Sequence, residues 1–124
     1  MEQKKKILIV EDEPEIIKGV PELLKSTGYL VWMANNAEEA FKKLKLFNPD
    51  LILLDLVLPD QSGFKFAQKI KSLAKYKHIP IIAISLKTEA IDKHIALKSG
   101  IIGYIEKPVD TERLLYQIRD ILKP

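Results

Sequence analysis

The sequence contains no cysteine among its 124 residues. Disulfides, thiolate zinc sites, iron–sulfur clusters and cysteine nucleophiles are therefore excluded. Its five glycines do not form the glycine-rich fingerprint that P-loop and dinucleotide-binding enzymes need. No apolar run approaches the ~20 residues of a membrane span, and the N-terminus lacks the apolar stretch of ~7–15 residues typical of a signal peptide. These absences predict a soluble protein of the cytoplasm that does not contact a membrane.

An excess of charge of one sign is also missing. Lys and Arg number 20 and Asp and Glu 17, which leaves a net charge of +3. The only basic run, the three lysines at 4–6, is too short to predict direct contact with nucleic acid. Hydrophobic residues make up 47% and charged residues 30%, a balance typical of folded proteins. We therefore predict a single domain over residues 1–124.

Short apolar runs alternate with helical patterns along the chain. Strands are predicted at residues 7–10, 29–34, 51–54, 80–84 and 103–106. Apolar residues at helical spacing follow each strand, and the helix predicted at 88–99 is the least amphipathic. Five βα units predict an α/β protein with a doubly wound parallel sheet and helices on both faces. The flavodoxin-like (βα)5 fold with strand order 2-1-3-4-5 is the common solution.

The first predicted helix contains a proline at position 21. Ile16, Val20 and Leu24 recur at helical spacing, so Pro21 falls inside the pattern. Proline removes the hydrogen bond that its N–H would donate to the carbonyl of Ile17. We therefore predict a kink at Pro21, made easier by the neighbouring Gly19.

Polar side chains follow four of the five predicted strands. Glu11 and Asp12 follow the first, Asp55 ends the third, Ser85 follows the fourth and Lys107 follows the fifth. These four strands are neighbours in the order 2-1-3-4-5, and their carboxyl ends meet at one edge of the sheet. We therefore expect three carboxylates, a hydroxyl and an ammonium group to converge there.

This set of groups suits a phosphoryl group and a divalent cation. Crowded carboxylates repel one another, and a hard cation with oxygen ligands, above all Mg²⁺, relieves the repulsion. Lys107 and Ser85 would hold the phosphoryl oxygens. Asp55, central in the sheet, is the carboxylate best placed to attack phosphorus.

Five segments in this order and spacing resemble the response-regulator receiver domain of two-component signalling. The resemblance covers essentially the whole chain. The segments are VEDEP at 10–14, DLILLD at 50–55, LP at 58–59 with Gly63, PIIAIS at 80–85 and GYIEKP at 103–108.

The resemblance implies a role for each matching residue. Asp55 resembles the phosphoacceptor, and Glu11 and Asp12 resemble the acid pair that holds Mg²⁺, for which Mn²⁺ can substitute. Asp55 and the backbone carbonyl of Val57 would complete the ligands from the protein. The bond between Lys107 and Pro108 is expected to be cis.

The resemblance also implies a switch. Ser85 resembles the hydroxyl that turns toward the phosphoryl group, and Lys107 resembles the lysine that pairs with the phosphoryl group. Tyr104 resembles the aromatic residue whose ring moves inward as the hydroxyl moves. Such a chain is a phosphoacceptor switch with its own phosphorylation and dephosphorylation chemistry, not a turnover enzyme. Its partners would be a sensor histidine kinase or histidine phosphotransfer protein, then a downstream protein target or fused output domain. A phosphorylation-dependent dimer is a further expected form.

Three residues beside the site are expected to tune the lifetime of the phosphoryl group. Val57 is apolar and cannot orient an attacking water, so we predict slow loss of the phosphoryl group. Leu86 stands where the family usually has a small residue, and it would narrow access to Asp55. Lys87, two residues after Ser85, is expected to flank the site together with Val57.

Three other functions fit the sequence less well. An FMN binder of the flavodoxin type needs a Ser/Thr/Gly-rich phosphate loop where this chain has the acids 11–13. A haloacid-dehalogenase-type phosphatase needs a second aspartate at position 57, which is Val57 here. The remaining alternative is a degenerate receiver that binds proteins without phosphorylation, and Asp12, Asp55 and Lys107 count against it.

Overall fold

A computed structural model of the protein describes residues 3–86 and 98–123. Its strands form a five-stranded sheet in the order β2-β1-β3-β4-β5, with all neighbouring strands parallel. The strands are β1 (Lys6–Val10), β2 (Leu30–Ala34), β3 (Leu51–Asp55), β4 (Ile81–Leu86) and β5 (Ile101–Lys107). The predicted flavodoxin-like α/β fold and its strand order are thus confirmed.

Four α-helices and one 3₁₀ helix lie in the described ranges. The 3₁₀ helix spans Pro14–Ile17, and the α-helices are α1 (Val20–Ser26), α2 (Ala37–Phe47), α3 (Gly63–Ser72) and α4 (Thr111–Leu122). The helix predicted at 88–99 falls almost wholly on residues 87–97, outside the described residues. Within the described parts of the chain, no helix is both long and apolar enough to cross a membrane.

The prediction of a kink at Pro21 is wrong, because the helix is interrupted before that residue. The 3₁₀ helix ends at Ile17, and Gly19 then takes the left-handed conformation with φ 90°. Glycine adopts this conformation without the steric cost that a Cβ brings. Pro21 therefore falls in the first turn of α1, where a proline's missing N–H leaves no helical hydrogen bond unmade.

The sheet is covered by apolar helix faces on both sides. Helices α2 and α3 pack on one face, and α1 and α4 pack on the other. Successive strand residues point to opposite faces, so each continuous apolar run serves both cores. The α2 and α3 side includes Leu8, Val10, Ile52, Leu54 and Ala83, and the α1 and α4 side includes Ile7, Ile9, Leu51, Leu53 and Ile82.

The strand register brings the carboxyl ends of β1, β3, β4 and β5 to one edge. Val10 pairs with Leu54, Asp55 with Ile84, and Leu86 with Lys107. Side chains that end these strands therefore lie near one another although they are far apart in sequence.

Helix α3 begins directly against the end of β3. The backbone N–H of Gly63 donates a hydrogen bond of 2.9 Å to the carbonyl of Leu56. A Cβ at position 63 would lie 2.6 Å from the Asp55 carbonyl oxygen and 2.7 Å from the Leu56 Cα. Only glycine allows this approach, which fixes the loop at 56–62 beside Asp55.

Replacing Gly63 with alanine should therefore cost more stability than the same change at Gly103. The clash at position 63 is with backbone that cannot move freely, whereas a Cβ at Gly103 meets the flexible end of Gln117 at 2.8 Å. We expect Gly63→Ala to lower the free energy of unfolding in urea by more than about 2 kcal/mol, and Gly103→Ala by less than about 1 kcal/mol. Equal losses for the two variants would contradict the close approach.

Candidate functional site

Three carboxylates meet at this edge of the sheet. Glu11 directly follows β1, Asp12 comes next, and Asp55 is the last residue of β3. Each offers one oxygen atom, and these three atoms lie within 4.8 Å of one another. Glu11 and Asp55 are 0% and 5% exposed, while Asp12 is half-buried. Of the three acids, Asp12 is thus the most exposed to solvent.

Lys107 joins two of these carboxylates. It is the last residue of β5, and the peptide bond to Pro108 is cis. Its Nζ donates hydrogen bonds of 2.8 Å to Glu11 Oε1 and 3.2 Å to Asp55 Oδ2. The side chain is buried, so water does not screen these ion pairs.

The carboxylate of Asp55 is held by both of its oxygens. Oδ2 accepts from Lys107, and Oδ1 accepts a 3.0 Å hydrogen bond from the backbone N–H of Val57. Two bonds to different oxygens fix the plane of the carboxylate.

The burial of this cluster changes its acid–base properties. Burial raises the pKa of Glu11 to about 8, and hydrogen bonding and repulsion from Asp55 add to this rise, while Lys107 opposes it. Burial alone would lower the pKa of Lys107, but hydrogen bonds and attraction from Glu11 and Asp55 raise it above its ordinary value. The raised pKa thus allows Glu11 to change charge near neutral pH.

The cluster fits a hard divalent cation. Its donors are carboxylate oxygens, the ligands that Mg²⁺ prefers. Glu11 Oε2 is buried and has no hydrogen-bond partner in the described part of the protein. A cation would satisfy this oxygen and offset the repulsion among the acids. Glu11, Asp12 and Asp55 are thus placed to hold it.

The predicted switch residues lie on the neighbouring strands. Ser85 is buried in β4, one residue beyond Ile84, the register partner of Asp55. Its hydroxyl donates a 3.3 Å hydrogen bond to the Leu86 carbonyl. Tyr104 of β5 is half-buried, pairs with Ala83 and packs against the core on the α2 and α3 side.

Two of the three residues predicted to tune the lifetime of the phosphoryl group lie in the described ranges. Val57 is 58% exposed and Leu86 is 44% exposed, so neither side chain is drawn into the core. Lys87 lies outside the described residues.

The patterns in the sequence did not predict a contact made by Asp60, which lies in the loop after Asp55. Asp60 Oδ1 and Oδ2 accept hydrogen bonds of 3.0 Å from the backbone N–H groups of Ala37 and Glu38. Because these partners lie 23 and 22 residues upstream, no local sequence pattern reports the contact.

A family model described as the response regulator receiver domain matches residues 7–119. The chain belongs to the receiver domain family. This receiver domain is 31% identical over 122 residues to the transcriptional regulatory protein BaeR of Escherichia coli, covering 98% of this chain and 50% of BaeR. It is 32% identical over 117 residues to the protein PilH of Pseudomonas aeruginosa, covering 94% of this chain and 97% of PilH.

A solved structure shows the same fold. The chemotaxis response regulator CheY4 of Vibrio cholerae superposes with a TM-score of 0.87 at 29% identity, covering 97% of this chain and 100% of that one. The receiver domain spans about half the length of BaeR. Receiver domains are signalling switches of two-component systems, interact with histidine kinases or phosphotransfer proteins, and generally bind Mg²⁺ in an acidic pocket.

The raised pKa of Glu11 predicts how the stability of the metal-free protein depends on pH. Between the ordinary value of 4.5 and about 8, the folded state holds a proton on Glu11 that the unfolded state releases. The contribution of this protonation to the free energy of unfolding is therefore fully present below pH 4.5 and is lost as pH rises through about 8. In urea titrations with a chelator, the free energy of unfolding should fall over this window, and Glu11→Gln should flatten the fall. Parallel pH profiles for the two proteins would contradict the assignment.

Proposed function

We propose that this receiver domain accepts a phosphoryl group on Asp55 from a sensor histidine kinase or a histidine phosphotransfer protein. The observation that carries the proposal is the buried Asp55 carboxylate, bonded to Lys107 at 3.2 Å within a cluster of three acids. Receiver activity also explains why charged groups are kept in an interior position that is otherwise costly.

The transfer is a displacement at phosphorus. An oxygen of Asp55 forms a bond to phosphorus while the bond from phosphorus to the partner's histidine nitrogen breaks, and the electron pair of that bond stays on the imidazole. Lys107 donates to the oxygens around Asp55 and offsets the charge that arrives with the phosphoryl group. Glu11, Asp12, Asp55 and the Val57 carbonyl would hold Mg²⁺, which when bound neutralises phosphoryl oxygens.

Phosphorylation would be transmitted through the β4 and β5 edge. Ser85 and Tyr104 lie on these strands, and Gln117 Nε2 of α4 donates a 3.3 Å hydrogen bond to the Tyr104 carbonyl. Ile102 and Tyr116 are 59% and 72% exposed on β5 and α4. This surface would receive a downstream protein target, a fused output domain or a second phosphorylated copy in the cytoplasm.

Incubation with acetyl phosphate tests the proposal directly. Intact-mass spectrometry should show one phosphoryl addition that requires Mg²⁺ and is absent in Asp55→Asn. Asp120→Asn is a matched control, because Asp120 is an exposed acid on α4 that contacts Lys123. It should be phosphorylated like the wild type.

No addition to the wild type, under conditions where an established receiver reacts, would overturn the proposal. The result would favour a degenerate receiver that binds proteins without phosphorylation. Leu86→Ala would then test whether the bulk beside Ser85 closes the site.

The lifetime of the phosphoryl group should depend on Val57. The side chain is 58% exposed two residues after Asp55, and being apolar it cannot orient water for attack on phosphorus. We expect Val57→Asn to lose the phosphoryl group several-fold faster than the wild type, in a time course by mass spectrometry. Leu46→Asn, a change of the same kind at a 74% exposed position on α2, should have no effect. Equal decay of wild type and Val57→Asn would refute the role of Val57.

A further inference from the structure

Asp60 connects the loop at 56–62 to α2, a helix that contributes no residue to the acid cluster. The N–H groups in the first turn of an α-helix have no partner within the helix. In α2, the side chain of Asn36 accepts from Glu39 at 2.7 Å, and Asp60 accepts from Ala37 and Glu38. Thus one amide of α2 is capped locally and two are capped from a distant loop.

The contact with α2 favours a charged side chain at position 60. Burial alone would raise the pKa of Asp60, but hydrogen bonds from the backbone of Ala37 and Glu38 bring it below its ordinary value. The positive end of the helix also attracts an anion. Asp60 is therefore a charged anchor across the pH range in which a protein works.

The rest of the loop is held at its two ends. Val57 pairs with Ser62 in an isolated antiparallel bridge, and Gly63 donates to the Leu56 carbonyl at 2.9 Å. At the start of the loop, the Val57 N–H donates to Asp55 Oδ1. Asp60 lies between these ends, so its bonds to α2 hold the middle of the loop.

We propose that Asp60 is a positioning residue, whose two-oxygen contact with the start of α2 holds the loop so that the backbone of Val57 stays beside Asp55, where its carbonyl can serve as a ligand. The proposal rests on the proposed function in assigning that carbonyl to the divalent cation. Residues that orient metal ligands typically change metal affinity by about 10–100-fold when they are replaced. Because a single backbone ligand is affected here, we expect the low end of this range.

Mg²⁺ titration by calorimetry tests the proposal with three variants. Asp60→Asn keeps the shape of the side chain but turns an acceptor into a donor facing an N–H, and should weaken Mg²⁺ binding about tenfold. Asn36→Ala removes the other cap of the same helix turn without touching the loop, and should bind as the wild type does. Glu38→Gln removes a negative charge next to the same turn and controls for electrostatics. Asp60→Ser replaces Asp60→Asn if the latter does not fold.

Hydrogen exchange of the metal-free proteins gives a readout that does not depend on the cation. Asp60→Asn should speed exchange of the amides at 37–38 and also at 57–63. Asn36→Ala should speed exchange in α2 only. If Asp60 merely stabilised α2, both variants would show faster exchange in α2 and unchanged exchange at 57–63.

The proposal is overturned if Asp60→Asn binds Mg²⁺ like the wild type, or if Asn36→Ala or Glu38→Gln weakens binding equally. Failure of the proposed function is a separate result. A wild type that binds Mg²⁺ but takes no phosphoryl group overturns the phosphoacceptor role alone, and the comparison of variants still decides the role of Asp60.

Discussion

A buried ammonium group between two buried carboxylates constrains the whole site. Lys107 bonds Glu11 at 2.8 Å and Asp55 at 3.2 Å. Lys107 and Asp55 end β5 and β3, and Glu11 directly follows β1. Removing one member would leave a charge in the interior without its partner, which is strongly unfavourable. The strand ends must therefore stay in register, and the two cores on either face of the sheet keep them so. This balance between burial and charge fixes the position of Asp55 and favours the binding of a cation beside it.

The site also depends on parts of the chain that carry no obvious chemistry. Gly63 lets α3 begin against the Asp55 carbonyl, and Asp60 fixes the loop to α2. The backbone groups of Val57 lie between these two anchors. The end of a buried strand thus supplies the Asp55 carboxylate, while a short loop, held at both ends and in the middle, supplies the backbone groups beside it.

Much of this arrangement could be predicted from the sequence because its signals are local. Continuous apolar runs marked β1, β3 and β4, and the polar residues that follow them marked the edge where Glu11 and Asp55 meet. The prediction failed at Pro21, since an isolated helical pattern does not report the break at Gly19. The boundaries of β5 were also too short, because Ile101 and Lys107 join the sheet only through pairing with Ile81 and Leu86.

The sequence by itself determined the order of the elements, the buried strands, the family and the residues that gather at the sheet edge. These follow from periodicity and from motifs a few residues long. Only the tertiary structure decided that Lys107 pairs with Glu11 as well as Asp55, that burial raises the pKa of Glu11 to about 8, and that Asp60 caps α2. Each of these features depends on groups that are 22 to 96 residues apart in the sequence, or on exclusion from water. A pattern a few residues long indicates neither proximity in space nor burial.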